Sequence, residues 1–255
     1  MEDRTYEGRA YAVLDDDGTL TLFRSAEKYA EGTTCRTRDV LGTERHGITW
    51  ECPEGPVSGD DPLPGWLSHK QGIRNVRVAH GQAIKPVSCA EWFSGGNRIE
   101  SVGLAGLDTS QVMDMNSMFS GCESLLDLDL TGWNTSHVTD MHGMFAECFS
   151  LEFLDLFDWD TSKVRDMSSM FDGCHSLRSL DLSHWDVLSV ERADKMFRDC
   201  RSLRSLDLSG WVTGSPYIEL IFEGCNQLDS PCLPDEPDFK REWCNARGLA
   251  AYEER

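Results

Sequence analysis

The pattern of apolar residues repeats every 26 positions over the middle of the chain. The block MFSGCESLLDLDLTGW begins at Met118 and recurs, with changes, at residues 144, 170 and 196. Methionine, cysteine and tryptophan each keep one place in it: Met118, Met144, Met170 and Met196; Cys122, Cys148, Cys174 and Cys200; Trp133, Trp159, Trp185 and Trp211. A fixed period of this length is typical of solenoid proteins, in which each turn of chain contacts only its neighbours. We therefore expect the rest of the chain to cap or decorate this stack.

Each repeat divides into two halves with different periodicity. The half S-L-x-x-L-D-L alternates apolar and polar positions, which predicts a short strand. The half T-S-x-V-x-D-M-x-x-M-F-x-x-C has apolar residues at helical spacing, and Thr161 or Ser162 is a suitable helix N-cap. The predicted fold class is an α/β solenoid, a leucine-rich-repeat-like stack of short parallel strands and short helices, with a small β-rich N-terminal module.

The repeat pattern divides the chain into three predicted parts. Residues 1–72 are an N-terminal module with a β-hairpin over residues 8–24, which turns at Asp17-Gly18, followed by a long Gly- and Pro-rich loop. Residues 73–225 are the solenoid. Residues 226–255 are a C-terminal cap, whose segment DFKREWCNARGLAAYEER predicts a short helix that covers the last open turn.

The charge of the chain narrows the classes of partner. Its 24 Lys and Arg against 44 Asp and Glu give a formal net charge of −20. This argues against nucleic acid and anionic membrane, both of which need clustered basic residues, and favours a cationic partner. No apolar run approaches the about 20 residues needed to cross a bilayer, so we expect no membrane insertion. The segment MEDRTYEGRAYAVL has no signal-peptide pattern, which leaves the cytoplasm open as a location.

The cysteines and histidines show no pattern typical of a catalytic or metal site. Five of the 10 cysteines share one repeat phase, which predicts buried, reduced thiols: Cys122, Cys148, Cys174, Cys200 and Cys225. The disulfide state of the other five stays open: Cys35, Cys52, Cys89, Cys232 and Cys244. There is no H-E-x-x-H site and no glycine-rich phosphate loop. We therefore expect no enzyme activity, no catalytic residue, no metal and no cofactor.

The outward positions of the predicted strands supply the candidate binding site. One carboxylate per repeat falls in the same column: Asp129, Asp155, Asp181 and Asp207. Stacked like charges destabilise a sheet, so either local hydrogen bonds or a cationic partner must offset them. Phe153 and Phe157 flank Asp155 on the same predicted face, where the other repeats carry small or polar residues. Exposed aromatic residues are typical of binding hot spots, so we expect a partner to contact this group.

The repeat resembles that of the BspA-like leucine-rich-repeat surface proteins of bacteria, which also occurs in mycoplasma-type lipoproteins. The resemblance is carried by LDTSQVMDMNSMFSGCESLLDLDLTGW and its copies, and by the leader AYAVLDDDGTLTLF and the segment KPVSCAEWF. It implies a leucine-rich-repeat fold, a location at the cell surface or outside the cell, and a role in adhesion or protein binding. It supplies no catalytic residues.

These observations lead to one functional expectation and one alternative. The expectation is a non-enzymatic, monomeric binding or adhesion module that presents its repeated strand face to a protein or extracellular matrix partner. The alternative is a structural spacer of a bacterial surface protein, without a ligand of its own.

Overall fold

The computed structural model describes residues 8–38, 43–52, 64–214 and 216–248. Its elements, in chain order, are β1 (Arg9–Asp15), β2 (Thr19–Ser25), β3 (Thr33–Arg38), β4 (Glu44–Glu51), a 3-10 helix (Gly65–Gly72), β5 (Asn75–Val78), β6 (Ser101–Gly103), β7 (Asp127–Asp129), β8 (Ser179–Asp181), β9 (Ser205–Asp207) and α1 (Pro237–Ala246). No helix in the described ranges is long and apolar enough to cross a membrane.

The N-terminal strands confirm the predicted hairpin and add a second one. Strands β1 and β2 pair antiparallel around a turn in which the Gly18 amide donates to the Asp15 carbonyl at 3.0 Å. The sequence predicted irregular structure after residue 25, and this was wrong, because β3 and β4 also pair antiparallel and β4 joins β1. Arginine and threonine occupy most positions of β3, so its sequence lacks the alternation of apolar and polar residues that would have indicated a strand. Residues 53–63, in the middle of the predicted loop, lie outside the described residues.

Strand β5 joins this module to the repeats. It pairs parallel with β2 on one side and with β6 on the other, and β6 pairs with β7. The paired residues Asn75, Ser101 and Asp127 are each 26 apart, so one strand is added per repeat. The result is a mixed seven-stranded sheet in the order β3-β4-β1-β2-β5-β6-β7, while β8 and β9 form a separate parallel pair. Numbered along the chain, the first to fifth repeats begin at residues 99, 125, 151, 177 and 203.

The core consists of columns of identical side chains. The phenylalanine rings stack from Phe93 through Phe119 and on to Phe222, with centroids 5.6 to 6.1 Å apart. Tryptophan rings stack beside them at 6.3 and 6.4 Å, from Trp133 to Trp185. The five in-phase cysteines are 0 to 4% exposed and unbridged. Each thiol donates to the phenylalanine carbonyl of the preceding repeat, as Cys174 does to Phe145 at 3.1 Å. The predicted burial of these columns is confirmed.

The predicted short helices of the repeats are absent from the described residues. Alternate amides of this half donate to the next repeat, as Ser169 does to the Asp194 carbonyl and Phe171 to the Met196 carbonyl, both at 2.9 Å. The amides between them close tight turns three residues back, as Met170 does to Met167 at 3.2 Å. An α-helix would instead bond every amide four residues back within one segment. This half of each repeat is therefore a series of tight turns that is hydrogen-bonded to the same half of the next repeat.

Left-handed backbone explains why no helix forms there. In this half of each repeat, two residues four positions apart have positive φ; in the third repeat these are Ser169 (56°) and Gly173 (76°). Such residues end a right-handed helix, and they favour glycine. The motif M-F-x-G-C showed this glycine in the sequence. The apolar spacing that predicted a helix suits a series of turns equally well.

The C-terminal helix covers the last repeat, as predicted. Pro237 stands at the start of α1, where a missing amide costs nothing. Phe239 packs edge-on against Trp211, and Trp243 packs edge-on against Phe222, each with centroids 5.9 Å apart. These contacts close the exposed end of both aromatic columns.

Candidate surface on the strand side of the repeats

The sheet is interrupted at the third repeat. The sequence predicted a strand here over residues 151–157, and this was wrong, since these residues have no strand or ladder pairing between β7 and β8. A single backbone–backbone hydrogen bond, from the Arg178 amide to the Glu152 carbonyl at 3.2 Å, links the segment to the next repeat. The inward leucines on either side of the gap are less covered than those of the next strand pair. Leu128 and Leu154 are half-buried, whereas Leu180 and Leu206 are buried.

Phe153 and Phe157 are the exposed aromatic residues of this segment, at 65% and 53%. The Arg178 guanidinium lies over the Phe153 ring, 5.6 Å from its centroid. The Phe157 ring packs edge-on against His184, with centroids 4.3 Å apart. Both contacts are with the fourth repeat, on the side away from β7. The bulky rings thus occupy columns that hold small or polar residues in the other repeats.

The four carboxylates of the strand column are each held by a local turn. Each accepts a hydrogen bond from the backbone amide two residues on, at 2.9 to 3.1 Å, and the acceptors are Asp129, Asp155, Asp181 and Asp207. Hydrogen bonds from the Thr131 side chain and amide lower the pKa of Asp129, and those from Ser183 lower the pKa of Asp181. The sequence left two ways to offset the stacked charges, local hydrogen bonds or a cationic partner, and these turns supply the first. In Asp129 and Asp181 the same bonds favour the ionised carboxylate.

Two depressions flank the Phe157–His184 contact. The smaller has a volume of about 130 Å³ and lies between the second and third repeats. Asp129, Asp155 and Asp158 line it, together with Trp133 and Trp159. The larger, of about 300 Å³, lies between the fourth and fifth repeats. The structure therefore brings three of the predicted site residues, Asp129, Asp155 and Phe157, around one depression. It leaves Phe153, Asp181 and Asp207 outside both.

The larger depression was missed by the sequence reasoning. Leu188 and Val212 line it and are 60% and 65% exposed. His184 lines it as well, so one residue connects it to Phe157. A column comparison would have found it. Leu188 stands where the earlier repeats have serine, at positions 110, 136 and 162. Val212 stands where they have the Asp or Asn side chain that accepts the amide of that serine.

The buried thiols are poor nucleophiles. Burial raises the pKa of Cys122, Cys174 and Cys225 to about 12. Since the thiolate is the reactive form, these groups belong to the packing of the core. In the part of the chain that the structure describes, no group of three or more His, Cys, Asp or Glu side chains is placed to hold a metal ion.

Comparison with known proteins gives one family and one structure. The family model described as "Mycoplasma protein of unknown function, DUF285" matches residues 87–211 and 148–233. A crystal structure of a leucine-rich cell surface protein from Faecalibacterium prausnitzii A2-165 is similar at 14% identity and a TM-score of 0.44. That match covers 91% of this chain and 54% of the other, so this chain spans about half the length of that protein. No curated protein matches the sequence.

Proposed function

Since the chain belongs to the family described as "Mycoplasma protein of unknown function, DUF285", we propose that it is a non-enzymatic binding or adhesion module. It is a leucine-rich-repeat solenoid of the BspA-like kind, located at the cell surface or secreted. Its strand side binds a protein or extracellular matrix partner, and the partner contacts Phe153, Asp155 and Phe157.

The exposure of Phe153 and Phe157 carries this proposal. The repeats bury almost every other large aromatic side chain, and the core phenylalanines are 0 to 1% exposed. Two rings at 65% and 53% exposure therefore depart from the rule that the same chain follows elsewhere. Solvated aromatic side chains cost free energy that binding recovers, and aromatic anchors dominate the energetics of many interfaces.

The charge around these rings favours a cationic partner. Asp155 lies between the two phenylalanines in sequence, and Asp129 and Asp158 line the neighbouring depression. The whole chain carries a formal charge of −20, which attracts basic surfaces and repels a second copy. A monomer that binds a basic protein surface fits both features.

The test is a double change, Phe153→Ser with Phe157→Ser, assayed for binding to host cells and to immobilised matrix proteins. Serine already occupies the Phe153 column in the fourth and fifth repeats, as Ser179 and Ser205, so the fold should tolerate it. The matched control is Met113→Ser with Tyr217→Ser, which removes two apolar side chains of 57% and 54% exposure elsewhere. We expect the first double variant to lose binding and the control to keep it.

Stability in urea is measured for both variants, so that loss of fold is not mistaken for loss of a contact. Unchanged binding by a folded Phe153→Ser, Phe157→Ser variant eliminates this surface as the site. A wild-type chain with no saturable binding to any cell or matrix preparation would instead favour the structural spacer.

A further inference from the structure

The Phe157–His184 contact forms a ridge with one depression on each side, and the two depressions differ in chemistry. We propose that the ridge and both depressions bind one extended segment of a partner protein. This segment carries a basic residue and, three or four positions away, an apolar residue. The inference rests on the proposed function, because it takes the binding face as given and adds the chemistry and spacing of what binds.

The smaller depression suits a lysine or arginine side chain. Its volume of about 130 Å³ is close to that of one long side chain, and Asp129, Asp155 and Asp158 line it. The largely buried Trp133 and Trp159 contribute the apolar part of the wall. A basic side chain can lay its methylene groups along such a wall while its charged head meets the carboxylates. Asp129 stays ionised because its turn hydrogen bonds lower its pKa.

The larger depression suits an apolar side chain. Leu188 and Val212 present most of their surface to solvent at its edge, and Trp185 and Val187 also line it. Its volume of about 300 Å³ accommodates a leucine, methionine or phenylalanine. Covering Leu188 and Val212 removes apolar area from water, which supplies binding free energy without a specific polar contact.

The distance between the depressions sets the spacing in the ligand. One lies between the second and third repeats and the other between the fourth and fifth, so they are two repeats apart. Successive rings in the tryptophan column are 6.3 and 6.4 Å apart, which places the depressions about 13 Å apart along the stack. An extended chain rises about 3.3 Å per residue, so three or four residues span this distance.

The experiment selects displayed random peptides of about 12 residues on the full chain, a length that spans both depressions. Peptides that also bind the Phe153→Ser, Phe157→Ser variant are removed first. Affinities of the remaining peptides are then measured by calorimetry. We expect the retained peptides to share a basic and an apolar residue at the stated spacing.

Two double variants test the two depressions separately. Asp129→Asn with Asp155→Asn removes charge while the amide oxygen still accepts the turn hydrogen bonds, and its control is Asp181→Asn with Asp207→Asn in the same column. Leu188→Ser with Val212→Ser removes the apolar edge, and its control is Met113→Ser with Tyr217→Ser. Each test variant should weaken binding about tenfold or more, and each control should change it less than about twofold.

The possible outcomes separate the two proposals. A selection that yields no peptide dependent on Phe153 and Phe157 contradicts the proposed function. Peptides that depend on these rings but lack the spacing, or bind equally well to both test variants, overturn this inference and leave the proposed function standing. Peptides whose two residues are about eight positions apart would also overturn it, because that spacing fits a helical ligand.

Discussion

The two sides of the repeat stack follow different rules. On the turn side, the phenylalanine column continues from Phe93 to Phe222, and alternate amides of each repeat bond to the next. On the strand side, the ladder stops after β7 and resumes at β8. The turn side thus carries the continuity of the stack, and one repeat can lose its strand without breaking the columns behind it. The strand side can therefore carry exposed side chains such as Phe153 without loss of the buried columns.

The carboxylate columns on the two sides differ in the same way. On the strand side, turn hydrogen bonds lower the pKa of Asp129. On the turn side, Asp114, Asp140 and Asp166 are bridged in register and partly buried, and burial followed by neighbouring charge raises the pKa of Asp140. Local hydrogen bonds therefore offset the repulsion between the exposed carboxylates of the strand side. On the turn side, the partly buried carboxylate of Asp140 still destabilises the fold when it is ionised.

Truncation of a core column should have the largest effect. Trp159 is 6% exposed and stacks between Trp133 and Trp185, so Trp159→Ala should lower the free energy of unfolding by about 3–5 kcal/mol. Phe157→Ser, in the same repeat but exposed, should lower it by less than about 1 kcal/mol. Urea melts of both variants measure the difference. A loss under about 1 kcal/mol for Trp159→Ala would contradict the role given to the columns.

The thiol column should resist chemical labelling in the native state. The thiols of Cys122, Cys148, Cys174 and Cys200 are fully buried, and burial raises the pKa of each. A maleimide should react with them at least about a thousandfold more slowly than with the exposed Cys232, until the chain is unfolded. Mass spectrometry of timed samples identifies each labelled residue. Fast labelling at any of the four would show that the turn side opens.

The sequence predicted these columns well because a buried position in a stack repeats its residue type. It also predicted the hairpin, from the Asp17-Gly18 turn, and a short helix within the segment DFKREWCNARGLAAYEER. It could not separate a helix from a series of turns, since Met167, Met170 and Phe171 suit both. The interruption of the sheet was also beyond it. The L-x-x-L-D-L pattern of residues 151–156 matches that of the repeats that form strands, and the pattern of one repeat alone does not report whether its backbone pairs with its neighbours.

Substitutions at the positive-φ positions should change the stability of the turn side through backbone strain alone. Glu147 is exposed and has a φ of 60°, so Glu147→Gly should raise the free energy of unfolding by about 1 kcal/mol. Gly173 holds the same place one repeat on, and a Cβ there would meet its nearest atom at an ordinary 3.5 Å. Gly173→Ala should therefore lose about 1 kcal/mol by backbone strain alone. Equal effects of opposite sign in urea melts are the expected result, and a stabilising Gly173→Ala would refute the turn geometry.

The smallest expected effect concerns the charge of Asp140. Its Oδ1 accepts the His142 amide at 2.8 Å, a bond that an asparagine oxygen keeps, so Asp140→Asn removes the charge alone. Because the folded chain raises the pKa of this carboxyl, ionising it costs stability at neutral pH. Asp140→Asn should thus be more stable by about 0.5 kcal/mol near pH 7.

The pH dependence gives this prediction its sign. The advantage of Asp140→Asn should shrink as the pH falls through the raised pKa of Asp140, because the wild-type carboxyl then becomes neutral as well. Asp129→Asn should behave in the opposite way. The fold lowers the pKa of Asp129, so ionised Asp129 stabilises the folded chain at any pH above the pKa of this group in the unfolded chain. It should lose stability at pH 7, and the loss should fade as acid protonates Asp129. If thermal melts from pH 3 to 7 gave both variants the same sign, the two sides of the stack would not differ in the way described.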